Sequence, residues 1–149
     1  MKAVTAPETV PLTTSSRRRM LLRGMARRCP LCGAGGLFEH WTKLCEHCPQ
    51  CGHRWERKAE EGFFLGAFVI NFVIVEAVLG VIAAVYIAVL ARGGNVSVWP
   101  YVGSAAAAAV IVPVIGYPFS KTVWAAIDLV LHPPEVSEEA EAILHRPAR

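Results

Sequence analysis

The sequence predicts an all-α membrane fold, a two-helix transmembrane hairpin with a small cysteine-bearing β mini-domain before it and an interfacial helix after it. Three observations carry this. Residues 63–90 and 98–119 are two apolar stretches, each long enough to cross a bilayer. They are joined by Ala-Arg-Gly-Gly-Asn at 91–95, which reads as a tight turn. Two matched cysteine pairs lie in the polar segment that precedes them.

The composition supports the division. Hydrophobic residues make up 54% of the 149 and the mean hydropathy is +0.40, yet the apolar residues are concentrated after Gly62. The net charge of +3 is equally uneven, with 11 Lys+Arg against 6 Asp+Glu in residues 1–62 and 4 against 6 in 63–149. The basic cluster Arg17, Arg18, Arg19, Arg23, Arg27 and Arg28 sits ahead of the first span, where it suits orientation and contact with anionic lipid. The first twenty residues lack the apolar core of a secretory signal, so the N-terminus is expected to stay in the cytoplasm. With Pro7, Pro11 and a Thr/Ser run to Ser16, residues 1–22 read as a disordered basic tail.

Residues 23–60 carry CPLCG from Cys29 and CPQCG from Cys48, with 15 residues between Cys32 and Cys48. Two residues between thiolates let both sulfurs face one ion, and the following glycine permits the tight turn that aims backbone N–H groups at sulfur. The spacing predicts a zinc ribbon in which Cys29, Cys32, Cys48 and Cys51 hold one structural Zn2+ per chain. A redox pair of C-x-x-C motifs and an iron–sulfur centre are the rival chemistries. Cys45 also stands three before Cys48, but only Cys48 and Cys51 repeat the proline and glycine of the first knuckle, so Cys45 is read as free. His40, His47 and His53 are read as solvated.

Residues 61–132 form the membrane hairpin. The stretch 63–90 would make a helix of about 42 Å, whose strongly polar side chains are Asn71 and Glu76 alone. A soluble protein this small has too few residues to cover that length on all sides. The stretch 98–119 contains Pro100 and Pro113, which membrane helices tolerate when neighbours satisfy the freed carbonyls. Gly80, Ala84 and Ala88, with Gly103 and Ala107, suggest close helix contact through small residues. Glu76 shares the face of Gly80 and is either a structural acid bonding across the hairpin or a proton or metal carrier. Asn71 lies about 140° around the helix from it. Beyond Pro118, residues 119–131 read as an interfacial helix anchored by Lys121, Trp124 and Asp128. Residues 133–149 read as an acidic tail or short helix.

CPLCGAGGLF, CPQCGHRW, EEGFFLGAFVINF followed by Glu76, and YPFSKTVWAAIDL occur in that order. Over residues 23–132 the chain therefore resembles the bacterial domain of unknown function family 983. The resemblance implies a small two-span membrane protein and brings no established activity. It also points towards cytochrome oxidase assembly, because members are encoded near such genes in some bacteria. Cys45 departs from the family's usual pattern.

Three functions compete on the sequence. The first is an accessory or assembly factor of the bacterial inner membrane, with both termini cytoplasmic, in contact with lipid and with a membrane-protein partner (a respiratory oxidase, for example) or a second copy of itself. The second is a membrane-tethered nucleic-acid binder using the arginines with Phe38, Trp41 and Trp55, although these aromatics suit packing better than base stacking. The third is an oligomeric proton or metal carrier using Glu76. No Ser-His-Asp set, phosphate loop or open metal site is legible and no catalytic residue is assigned, so an enzyme is not expected.

Overall fold

The computed structural model describes residues 15–56 and 62–146. The first fourteen residues of the expected tail and the Glu60-Glu61 approach to the first span lie outside the described residues. Four helices follow in order: α1 (Arg17–Met25), α2 (Leu65–Ala91), α3 (Trp99–Leu131) and α4 (Val136–Leu144).

α2 and α3 are long and apolar enough to cross a membrane, and they pack along each other. Paired contacts show the antiparallel register: Trp124 lies against Gly66, Asn71 meets Pro113, and the Tyr86 and Tyr101 rings stand 4.7 Å apart. None of the most apolar 18-residue window of α2 is buried inside the protein. Phe68, Val73, Val81 and Ile87 are all exposed, a pattern that water would penalise and hydrocarbon would not. Between Phe64 at one end and Tyr86 at the other, α2 rises about 33 Å, close to the thickness of a bilayer core.

The hairpin departs from expectation in two respects. α3 does not stop at Pro118 to restart as an interfacial helix. It runs through both Pro113 and Pro118, with Lys121, Trp124 and Asp128 on its last turns. Proline 118 cannot donate to the carbonyl of Val114, and the indole Nε1 of Trp41 donates to that carbonyl instead, at 3.4 Å. Asn71 Nδ2 donates to the Pro113 carbonyl at 3.0 Å, and Thr122 Oγ1 donates to the Phe119 carbonyl at 3.0 Å. Trp41 thus meets the carbonyl that Pro118 leaves without a donor, and Asn71 and Thr122 bond to carbonyls on either side of it, while the helix continues.

The second departure concerns the small residues. Gly80 and Gly103 have nothing near them, and Ala84, Ala88 and Ala107 are exposed. Close approach occurs instead near the other end, where Gly66 admits the Trp124 ring and Gly116 admits the Asn71 amide. Larger side chains with specific partners set the contact there, so the alanine-rich stripe is left facing outward with Glu76.

Residues 17–22, expected within the disordered tail, belong to α1. Ser16 Oγ accepts from the Arg19 amide and caps the helix. Three arginines at the start oppose the helix dipole, so burial against α3 must compensate. Met20 and Gly24 are buried there, and a Cβ on Gly24 would lie 2.7 Å from that of Ala126. The helix ends with Arg27 at φ 56, the Arg28 amide reaching the Arg23 carbonyl at 2.9 Å and the Arg27 amide that of Gly24 at 3.1 Å. This is the closure a left-handed residue makes. Arg27 is held there by aromatic faces, its guanidinium standing 4.7 Å from the Phe38 ring and 5.3 Å from that of Phe119.

The cysteine-bearing segment has no strand among the described residues. Its β character is limited to two isolated antiparallel bridges, Phe38 with Leu44 and His47 with Arg54. Leu31, Leu37, Leu44 and Trp55 form its core, and Met20, Ala125 and Leu129 complete the same cluster. The mini-domain is therefore fused to the end of α3 and does not hang from a linker. Of the acidic tail or short helix expected over 133–149, the described residues form the helix. α4 starts with a capping box between Glu135 and Glu138 and packs Ala142 against Gly52 of the second knuckle.

Candidate metal centre

Each knuckle is built the same way. The Gly33 amide donates to the Cys29 carbonyl at 2.8 Å and the Cys29 amide to Ala34 at 2.8 Å; the Gly52 amide donates to Cys48 at 2.9 Å and the Cys48 amide to His53 at 2.9 Å. Gly33 at φ 85 and Gly52 at φ 73 occupy the left-handed region this turn requires. Arg23 secures the first knuckle from α1, donating through Nη1 to Leu31 at 2.7 Å and Pro30 at 3.2 Å. Arg146 Nε reaches the Cys51 carbonyl at 3.3 Å and secures the second from the other end of the chain.

The two turns bring Cys29, Cys32, Cys48 and Cys51 together, their sulfurs all within 4.8 Å of one another. Sγ of Cys29 lies 3.8 Å from that of Cys51, and Sγ of Cys32 lies 3.6 Å from that of Cys48. These separations are far beyond a disulfide. A tetrahedral ion with sulfur at about 2.3 Å would hold its ligands about 3.8 Å apart, so the four thiols fit a metal ion of that kind. Cys29 is fully buried, Cys48 and Cys51 nearly so.

Electrostatics point the same way. Hydrogen bonds from Cys29, Cys48 and Cys51 hold the Cys32 thiol far below its ordinary value, and the Ala34 amide adds a further bond to its sulfur at 3.4 Å. Cys48 comes down to about 7, chiefly through Cys29. Cys29 is pushed up by its bonds to Cys32, Cys48 and Cys51. Four thiols this close resist losing all their protons unless a cation replaces them. Cys45 lies outside the cluster, and burial raises its thiol.

The other expected site residues are dispersed. Asn71 of α2 is buried against α3, whereas the Glu76 side chain is exposed on the opposite side of α2 and meets no hydrogen-bond or ion-pair partner among the described residues. Lys121 Nζ donates to the Thr42 carbonyl at 2.8 Å, Trp124 packs on Gly66, and Asp128 lies 3.1 Å from His132. Of the histidines read as solvated, His40 is exposed, but His53 is 2% exposed with its ring edge-on to Trp55. His47 is half-buried against α4, beside Glu141 and His145. Sequence reasoning missed this second group because its members come from opposite ends of the chain. Glu141 and His145, four apart on a helix, were the available signal.

The protein family described as protein of unknown function (DUF983) matches residues 38–128, well over half of the chain. The match takes in the second knuckle, α2 and most of α3, and begins after Cys29 and Cys32. No curated protein and no solved structure matches.

Proposed function

We propose that this chain, which belongs to the DUF983 family, is an accessory or assembly factor for a membrane complex. In this reading it is a two-span protein of the bacterial inner membrane with both termini cytoplasmic. Zinc on Cys29, Cys32, Cys48 and Cys51 rigidifies a platform at the inner end of the hairpin. Four thiolates close the coordination sphere, so the ion folds the platform and leaves no position for substrate.

Glu76 carries the reading. It lies about 18 Å along α2 from Phe64, near mid-bilayer by the rise of a helix, on the outward face with Gly80, Ala84 and Ala88. An unpaired carboxyl facing lipid costs several kcal/mol, and small residues on that face admit a second helix closely. A partner helix that bonds to Glu76 removes the cost. The resemblance suggests a respiratory oxidase as the client.

Charge and contact support the proposed orientation. The mini-domain and α4 touch across Gly52 and Ala142, which supports an even number of crossings between them. Six arginines lie on that side against Arg92 alone in the connector. Arg17, Arg18 and Arg19 are exposed on the same short helix as exposed Leu21, Leu22 and Met25, a combination that suits lipid headgroups. Trp55 is buried and Phe38 lies beneath Arg27, which leaves only Trp41 of the three aromatics exposed for stacking bases, and its indole is bonded to the Val114 carbonyl.

A photo-crosslinker at Ala84 in native membranes tests the reading. It should capture one membrane protein, and the product should persist in Glu76→Gln and vanish in Glu76→Leu. No protein adduct, with complexes unchanged in Glu76→Leu, contradicts the proposal. Capture of a second copy, with Gln as damaging as Leu, favours the oligomeric carrier instead.

A further inference from the structure

Apart from the four cysteines, one group of potential metal ligands converges among the described residues. Single ligand atoms of His47, Glu141 and His145 all lie within 4.8 Å of one another. Glu141 and His145 are one helical turn apart and so share a face of the α4 region, while His47 comes from the mini-domain, directly before Cys48. The rings of His47 and His145 meet edge-on at 4.0 Å.

His47 Nε2 is shielded from solvent and has no hydrogen-bond partner. Its nearest acidic atom, Oε1 of Glu141, is 3.9 Å away, too far for a hydrogen bond. A buried ring nitrogen left without a partner costs free energy. A gap too wide for a bond, between an imidazole nitrogen and a carboxylate with a second imidazole beside them, has room for an ion. Two imidazoles and one carboxylate suit a divalent first-row cation such as Zn2+, with a fourth position open.

We propose that His47, Glu141 and His145 form a second, exchangeable Zn2+ site that clamps α4 onto the mini-domain. An ion there joins the chain's two ends across the contact that Ala142 and Arg146 already make with the second knuckle. Arg54 Nη1 stands 3.8 Å from the same Glu141 oxygen and competes with the ion, but Glu46 lies 3.3 Å from its other nitrogen and can hold it. The site is consequently weaker than four thiolates and responsive to free zinc.

The full chain in detergent, first dialysed against a mild chelator that leaves thiolate-bound metal in place, is titrated with Zn2+ alone by equilibrium dialysis. Wild type should take up one further equivalent. His145→Ala, which alters an exposed side chain, and Glu141→Gln should each weaken that equivalent at least tenfold while leaving the retained metal unchanged. Arg54→Gln should strengthen it, and zinc should slow amide exchange across residues 136–144. No saturable extra equivalent, His145→Ala binding like wild type, or Arg54→Gln weakening uptake overturns the site. The retained equivalent is counted separately, so failure here leaves the cysteine assignment intact.

Discussion

Gly33 and Gly52 hold equivalent places in the two knuckles, yet alanine should cost far more at one than at the other. Both have positive φ, at 85 and 73, so an added Cβ brings about 1–2 kcal/mol of left-handed strain at either. Because metal binding and folding of the knuckle are one equilibrium, that strain should weaken zinc about 5- to 30-fold. At Gly33 the nearest obstacle is the Arg23 side chain, at 3.1 Å, which can move. At Gly52 it is the backbone carbonyl of Ala142, which cannot move unless α4 lifts, with loss of the Arg146 bond to Cys51. Overpacking of this kind costs about 1–3 kcal/mol more, or about a further 5- to 150-fold in affinity. Competition with a chromophoric chelator on the detergent-solubilised chain measures both variants. Removing residues 136–146 should bring the Gly52→Ala penalty down to that of Gly33→Ala. Equal penalties in the intact chain, or an excess at Gly52 that survives the truncation, would show that α4 does not rest on the second knuckle.

Two further outcomes follow from the packing. Asn71→Ala removes the bond to the Pro113 carbonyl and should loosen the hairpin by about 1 kcal/mol, read as a lower midpoint in denaturing-detergent titration; a midpoint equal to wild type contradicts the role given to Asn71. At Arg27 both alanine and glycine lose the aromatic contacts, but only glycine relieves the left-handed backbone, so Arg27→Gly should be more stable than Arg27→Ala by about 1 kcal/mol. Thermal unfolding of the two variants with alanine the more stable would refute that account.

The hairpin and the four thiols were legible because each rests on local pattern, apolar length in one case and C-x-x-C spacing in the other. What the pattern could not show were partnerships between distant residues. Pro118 reads as a helix end until Trp41, from the mini-domain, is seen donating to Val114. The arginine run reads as disorder until Met20 and Gly24 find α3. The alanine stripe reads as an interface because small residues usually permit contact, yet Trp124 over Gly66 and Asn71 beside Gly116 set the crossing elsewhere. His53 reads as solvated since nothing local reveals that the second knuckle folds it against Trp55.

The account depends most on the four cysteines, and metal analysis of the purified full-length chain tests it directly. After dialysis against the mild chelator, wild type and Cys45→Ser should each retain about one zinc per chain, with an X-ray absorption edge showing four sulfur neighbours, and Cys48→Ser should retain none. Iron in place of zinc, or metal loss in Cys45→Ser equal to that in Cys48→Ser, would contradict it.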